Sequence, residues 1–145
     1  MREILFRGIW VHGNKEWIEG DLVRDSEGKP HIVDNKYAVY WKGEPIFVCE
    51  EECEVIPETV GQYTGLTDKN GTKIFEGDIC RFREWSKGDM CWFGKVHYEH
   101  QQFLISGEKN KECESSFVLA MSRFIPENIE VIGNIHDNPE LLEVK

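Results

Sequence analysis

The sequence predicts a mainly β protein, built from small SH3-like or barrel-like β modules with at most one short C-terminal helix. Thirteen glycines separate short apolar runs along the 145 residues, as in chains that reverse direction often. A hydrophobic content of 40% and an aromatic content of 12% are enough for a packed core. The third observation is a central β-hairpin pattern over residues 60–83.

The central hairpin is the clearest local pattern in the chain. Residues 60–66 are rich in β-forming side chains, and residues 72–83 are predicted to form the returning strand. Between them, Asn70 and Gly71 favour a tight turn, because Asn and Gly tolerate the positive φ that a reversal needs. A Glu-Gly-Asp tripeptide at residues 76–78 interrupts the second strand.

Short strands alternate with turn-forming residues in the part of the chain before the hairpin. The predicted strands lie at residues 3–10, 17–23, 31–33 and 37–41. Residues 46–56 contain three consecutive glutamates and form either a single helical turn or a bulged acidic loop. Pro57 and Glu58 then mark the predicted boundary between an N-terminal β module, 1–58, and a C-terminal β module, 59–145.

After the hairpin, the alternation of apolar residues predicts another strand pair. Residues 91–98 form a strand with Trp92, Val96 and Tyr98 on one face and with Lys95 and His97 on the other. Residues 103–106 return as its partner, and the polar residues 107–115 form a loop. Residues 117–121 form a strand or one helical turn.

The chain is predicted to end in a strand and a short helix. Residues 129–135 form the strand, and Gly133 marks a bulge or a close approach within it. Asn138 suits the N-cap, Pro139 the first helical position and Glu140 the positive end of the helix dipole. We expect about one and a half turns of helix there.

One short sequence pattern occurs in both halves of the chain. Residues 17–23 and 74–80 both contain two apolar residues, Glu-Gly-Asp and two further apolar residues. A glycine in this setting is typical of a sharply bent strand in a small barrel, which favours two related β modules. The alternative is that Glu-Gly-Asp is only a turn-forming tripeptide.

Charge and cysteine content restrict the setting of the protein. The net charge of −10 repels phosphate backbones, so it argues against general nucleic-acid binding. Five cysteines are an odd number, and the charged start of the chain does not fit a signal peptide. No run approaches the ~20 apolar residues of a membrane span. We therefore expect a cytoplasmic protein without a membrane partner.

The central and C-terminal motifs resemble the YopX family of phage and prophage proteins. The resemblance lies in residues 60–66, 68–71 and 74–79, in residues 131–142, and in the opening residues 2–7. It implies a small, mostly β protein with a tendency to assemble, encoded by phages or prophages, often of Gram-positive bacteria. It implies no enzymatic activity, no cofactor and no functional residue.

Two cysteines are the candidates for a metal site. Cys49 and Cys53 lie four residues apart, and a third and fourth ligand from other cysteines or histidines would complete a tetrahedral zinc site. This spacing is not a paired Cys-x-x-Cys signature, and the glutamates between the thiols disfavour the thiolate form. We therefore expect inert cysteines and no bound metal.

The sequence also offers no clear catalytic group. Its serines, Ser106 among them, have no histidine nearby in sequence and no nucleophile-elbow motif. His97 is expected to be an exposed strand residue. Two acidic pairs, Glu19 with Asp21 and Glu76 with Asp78, could form a carboxylate cluster of a hydrolase. The alternative, which we favour, is that these carboxylates bind turn amides.

A basic and aromatic patch is the candidate nucleic-acid surface. Arg81, Arg83 and Trp85 follow one another along the chain, and Lys95 lies on the next predicted strand. Small β barrels bind single strands by stacking bases on aromatic side chains beside basic ones. Aromatic residues at strand spacing are more often part of the core.

Three functions follow from these observations, in order of preference. The first is a non-enzymatic interaction module that self-assembles into a homo-oligomer and binds a host or phage protein through its acidic surface or a sheet edge. The second is a nucleic-acid-binding accessory factor that uses the patch of Arg81, Arg83, Trp85 and Lys95. The third is a carboxylate-cluster hydrolase.

Overall fold

The computed structural model describes residues 3–33, 39–42, 44–46, 54–83, 92–107 and 117–142. It confirms the mainly β prediction, because these residues form twelve strands in two five-stranded sheets and one two-stranded sheet. Helical residues in the described ranges occur only in short 3₁₀ segments. By its internal contacts the chain divides into two compact units, Met1–Tyr63 and Thr64–Lys145. The modules expected at 1–58 and 59–145 remain a prediction.

The first unit is an antiparallel arrangement of short strands. Its strands are β1 (Phe6–Ile9), β2 (Trp17–Arg24), β3 (Pro30–Val33), β4 (Val39–Trp41), β5 (Glu44–Ile46) and the start of β6 (Gly61–Thr67). β2 lies between β1 and β3, and β1 also pairs with the first residues of β6. β4 and β5 form a separate hairpin.

The core of the first unit forms around Val55, which is fully buried. A Cβ atom at Gly8 would lie 3.0 Å from Val55 Cβ, so the absence of a side chain there lets β1 approach this residue. The Ile9 N–H donates to Thr59 Oγ1 at 2.9 Å, and that hydroxyl donates to the Ile56 carbonyl. The 3₁₀ segment Pro57–Thr59 is thereby fixed to β1.

The second unit contains the rest of β6 and a five-stranded sheet. Its further strands are β7 (Lys73–Phe75), β8 (Asp78–Phe82), β9 (Trp92–Glu99), β10 (Gln102–Gly107), β11 (Phe117–Ala120) and β12 (Ile129–Asn134). β7 lies next to β6, and the sheet has the order β11-β10-β9-β8-β12. The tight turn predicted between β6 and β7 is present, with Gly71 at a φ of +80°.

One face of this sheet carries the core of the second unit. Phe82, Val96 and Ile105 are at most 2% exposed, and the rings of Phe82 and Phe124 meet edge to face at 5.2 Å. The other members of the buried cluster are Ile74, Cys80, Met121 and Ile129. Burial of several such side chains stabilises the unit by roughly 1.5–3 kcal/mol each.

The two Glu-Gly-Asp motifs adopt different structures. Gly20 lies inside the continuous strand β2, opposite Phe6. Gly77 lies in a turn between β7 and β8, at a φ of +87°. Asp78 Oδ2 accepts the Phe75 N–H across this turn at 2.8 Å. The turn interpretation therefore holds for the second motif. The first motif is part of a continuous strand that pairs with β1.

The short helix expected near the C-terminus is present in the 3₁₀ form. It covers Pro139–Leu142, which is a little more than one turn within the described residues. The Oδ1 atom of Asn138, the predicted N-cap, accepts the Asn134 N–H at 3.3 Å. The predicted bulge near Gly133 is confirmed, since the register of β12 shifts between Val131 and Gly133.

Candidate functional site

The candidate sites of the second unit lie on the outer face of its sheet, defined as the face opposite Phe82, Val96 and Ile105. Because side chains alternate along strands, this face carries Arg81 of β8, Lys95 and His97 of β9, and Ser106 of β10. Part of it is covered, since the 3₁₀ helix Pro139–Leu142 contacts β9. Leu104 and Ile79 on this face are also buried, whereas Arg81 and Lys95 are exposed.

The cations predicted for nucleic-acid binding are largely engaged with acidic or amide groups. Arg81 is 48% exposed, and its Nη2 donates to Glu130 Oε2 at 2.9 Å. Lys69 Nζ lies 3.4 Å from the same oxygen. The Arg81 guanidinium, followed by Lys69, holds the pKa of Glu130 below its usual value, although partial burial opposes this. The carboxylate therefore offsets part of the positive charge here.

The other members of the predicted patch have different surroundings where the structure describes them. Arg83 Nε donates to Asn128 Oδ1 at 2.9 Å, and Phe82, the aromatic residue between the two arginines, is fully buried in the core. Lys95 is exposed on the outer face. Trp85 lies outside the described residues. Arg81 and Lys95 do share one sheet face, on neighbouring strands.

The described residues do not form the predicted metal site or the predicted carboxylate cluster. Cys49 and Cys53 lie outside the described residues, and Cys80 is buried in the core. Asp78 is 1% exposed and accepts a turn amide, so solvent does not reach it. Within the described ranges, no three His, Cys, Asp or Glu side chains are grouped closely enough to hold a metal ion.

A contact between a buried histidine and an aspartate in the first unit was not predicted. His31 on β3 is 4% exposed, and its Nε2 lies 2.9 Å from Asp25 Oδ2. The other oxygen of Asp25 accepts the backbone N–H groups of Glu27 and Lys29. The hydrogen bond with His31, followed by that with Lys29, lowers the pKa of Asp25. The sequence signal was Asp at the start of a turn, where its side chain typically binds amides two residues on.

Ser106 has a histidine partner, contrary to the prediction. Its Oγ lies 2.6 Å from His97 Nε2, and His97 Nδ1 lies 3.5 Å from Glu99 Oε1. The His97 side chain is only 21% exposed, so it is more buried than the exposed strand residue that the sequence predicted. The pair forms because Leu104 is opposite His97, which places Ser106 on the diagonal of the same face. The sequence could have predicted this contact if the turn between β9 and β10 had been assigned to two residues, because that length sets the register.

Three of the four outer edges of the five-stranded sheets are covered by other parts of their own unit. At β3, Pro30 O accepts the Val55 N–H and His31 bridges to Glu54. At β12, Ile129 O accepts the Lys69 N–H, and Asp68 Oδ2 accepts the Val131 N–H. β7 has only three residues, and the Asp78 side chain binds its Phe75 N–H.

The fourth edge, β11, differs from these three. Phe117–Ala120 pairs with β10, and no other strand in the described part of the chain lies on its far side. Its sequence, Phe-Val-Leu-Ala, has neither charge nor proline, and Val118 is 56% exposed on the outer face. Short strands, charges and proline are the usual protection of an edge, and β11 has only its shortness.

Comparison with known proteins agrees with this geometry. The model of one family, described as YopX protein, matches residues 5–143. The chain belongs to the YopX family. The resemblance inferred from the sequence motifs is thereby confirmed. No curated protein matches the chain.

A solved structure has a similar fold. The crystal structure of protein EF1440 from Enterococcus faecalis matches with a TM-score of 0.52 and 24% sequence identity. The match covers 99% of this chain and 100% of that one. At this identity the likeness concerns the fold alone. Among the described residues, no helix is long and apolar enough to cross a membrane.

Proposed function

We propose that this YopX protein is an interaction module that self-assembles through the edge of β11 and binds a host or phage protein. We propose further that it is encoded by a phage or prophage and acts in the bacterial cytoplasm. The observation that carries the proposal is the contrast among sheet edges: β3 and β12 are bonded to other segments of their own unit, β7 has its Phe75 N–H bonded to Asp78, and β11 has no strand on its far side among the described residues. An open edge offers backbone N–H and C=O groups to an added strand.

A second copy of the chain is the first occupant of this edge. Two β11 strands related by a twofold axis would pair antiparallel and join two sheets into one. Pairing with Val118 opposite its own copy keeps both outer faces on the same side of the joined sheet, since alternate residues face alternate sides. The strand itself carries no charge, so no like charges meet directly within this contact, although each chain has a net charge of −10.

The nucleic-acid and hydrolase alternatives have less support. Arg81 is paired with Glu130, and Arg83 is bonded to Asn128. Asp78, a member of the expected carboxylate cluster, is buried in a turn. By contrast, Val118 on β11 is exposed, and no described strand pairs with the far side of β11.

The experiment compares Val118→Lys with Ile125→Lys by sedimentation velocity over a range of protein concentrations. Both side chains are 56% exposed, but only Val118 lies on the edge strand. We expect the wild-type protein and Ile125→Lys to form oligomers, and Val118→Lys to be monomeric at the same concentrations, because lysine at an edge disfavours strand addition. A monomeric wild type, or an unchanged Val118→Lys oligomer, would contradict the proposal.

The heterologous partner is tested by affinity purification of the tagged protein from a bacterial lysate, with and without nuclease. A stoichiometric protein that survives nuclease and is lost with Val118→Lys supports binding at the edge. A partner that disappears with nuclease supports the accessory-factor alternative. A partner that Val118→Lys retains and Ile125→Lys loses places the binding surface elsewhere.

A further inference from the structure

Ser106, His97 and Glu99 lie in series on one face of the β9–β10 hairpin, where a hydrogen bond joins Ser106 to His97 and the Glu99 carboxylate lies beside the imidazole. The Ser106 Oγ to His97 Nε2 distance is 2.6 Å, and the His97 Nδ1 to Glu99 Oε1 distance is 3.5 Å. Glu99 and His97 are two residues apart on β9, so both side chains point to the outer face. This order of hydroxyl, imidazole and carboxylate is the one that activates serine nucleophiles.

The series also fixes the form of the imidazole that such chemistry needs. A carboxylate beside Nδ1 favours the tautomer with its proton on Nδ1, which leaves a lone pair on Nε2 toward the serine. In this tautomer the Ser106 hydroxyl donates to His97, and the imidazole can accept its proton. Glu99 is 61% exposed, so it orients the ring from the solvent side.

The neighbours of Ser106 on the adjacent strands could stabilise a negative oxygen and contact an acyl group. Lys95 is its direct partner on β9 and is exposed, so its ammonium group can stabilise a negative oxygen that develops near Oγ. Val118 is its direct partner on β11 and is 56% exposed. The serine thus lies between a cation and an apolar side chain, which suits an acyl donor with a small apolar acyl group.

We infer that Ser106 is a nucleophile that accepts an acyl group from an activated ester or thioester, with His97 as its base. Ser106 Oγ forms a bond to the carbonyl carbon while its proton passes to His97 Nε2. The bond from that carbon to the leaving alcohol or thiol breaks, and the leaving group takes the proton from His97. A water oxygen then bonds to the acyl carbon while a water proton passes to His97 Nε2. The bond from that carbon to Ser106 Oγ breaks, Oγ takes the proton from His97, and the carboxylic acid leaves. The expectation of a non-enzymatic protein rested on the lack of any catalytic constellation in the sequence, and the contact between Ser106 and His97 is the observation that supports reconsidering it.

The test uses p-nitrophenyl butyrate and the full-length protein, with intact-mass measurement and peptide mapping. We expect one butyryl group on Ser106 in the wild type and none there in Ser106→Ala. His97→Ala should acylate about a hundredfold more slowly, as typical for loss of a general base. Added imidazole should restore part of that rate, which a merely structural role of His97 would not produce. Lys95→Met should slow acylation without changing the site.

Ser122→Ala is the matched control, because Ser122 is exposed and lies outside the series, in the 3₁₀ segment Met121–Arg123. It should acylate at the wild-type rate. Each variant is compared at equal folded fraction, measured by circular dichroism. Folded wild-type protein that neither gains an acyl group nor releases p-nitrophenolate faster than Ser106→Ala would overturn the inference. So would a His97→Ala rate equal to that of the wild type.

Discussion

Asp68 Oδ2 accepts the Val131 N–H at 2.9 Å and so joins the central turn to β12, 63 residues further along the chain. The other oxygen of Asp68 accepts the N–H groups of Asn70 and Thr72 within the turn. Asp68 is 2% exposed, so one carboxylate shapes the hairpin turn and also covers a sheet edge. Local turn chemistry and edge protection thus depend on the same side chain.

Replacement of Asp68 by alanine should be strongly destabilising. The change leaves three backbone N–H groups without their acceptor, and a hydrogen bond to a charged group contributes about 1.5–3 kcal/mol. We expect a loss of about 3 kcal/mol or more in the free energy of unfolding, measured by urea denaturation. Asp68→Asn keeps one acceptor oxygen and should lose less. Equal stability of Asp68→Ala and wild type would show that these bonds contribute little.

Gly133 should tolerate no side chain while Asn138 is present. A Cβ atom added to Gly133 would lie 2.5 Å from Asn138 Oδ1, which is a severe overlap. Gly133→Ala should destabilise the protein by about 1–3 kcal/mol, the usual cost of overpacking.

A double-mutant cycle separates this overlap from other effects of the glycine. Asn138→Ala removes the overlapping atoms, so the double variant should lose less stability than the two single changes added together. Gly71→Ala is the control for backbone strain without overlap, since Gly71 has a φ of +80° and nothing within 4 Å of an added Cβ. It should cost about 1–2 kcal/mol. Additive effects of Gly133→Ala and Asn138→Ala would rule out the contact as the cause.

The Asp25–His31 pair should make stability depend on pH in acid. The pKa of Asp25 is lowered from 3.8 by its bond to His31, then by Lys29, with partial burial acting against them. A lowered folded-state pKa means that the stabilisation is present above 3.8 and is lost as pH falls through the folded value. Other charged groups nearby are Glu27, Lys29 and Glu54.

Thermal unfolding between pH 5 and pH 2 checks this expectation. The melting temperature of the wild type should fall more steeply with acid than that of Asp25→Asn, because the variant has no carboxylate to protonate at this position. Glu127→Gln, at an exposed position in the 3₁₀ segment Pro126–Asn128, should keep the wild-type slope. Parallel curves for wild type and Asp25→Asn would contradict a contribution from the pair.

Local patterns in the sequence predicted the parts of the fold that local chemistry determines. The turn at Gly71, the faces of β9 and the bulge beside Gly133 all depend on residues close in sequence. Gly20 and Gly77 share a motif but differ in structure, because the strand opposite Gly20 is distant in sequence. The tripeptide alone therefore does not predict whether it forms a turn or part of a strand.

The candidate sites depended on contacts that are not local. The Ser106–His97 contact requires the register of a hairpin, and the engagement of Arg81 requires the knowledge that β12 lies beside β8. The position of β11 at the end of the described sheet could not be predicted, since strand order follows from packing of the whole sheet. The sequence indicated a sheet edge as one possible surface without indicating which.

Hydrogen exchange of the β11 amides as a function of protein concentration tests the interaction proposal most directly. If two copies pair through β11, exchange of Phe117–Ala120 should slow as the concentration rises, while exchange in β12 stays constant. Val118→Lys should remove this dependence, and Ile125→Lys should keep it. Exchange in β11 that is the same at every concentration, in a protein that is oligomeric by sedimentation, would place the assembly surface elsewhere.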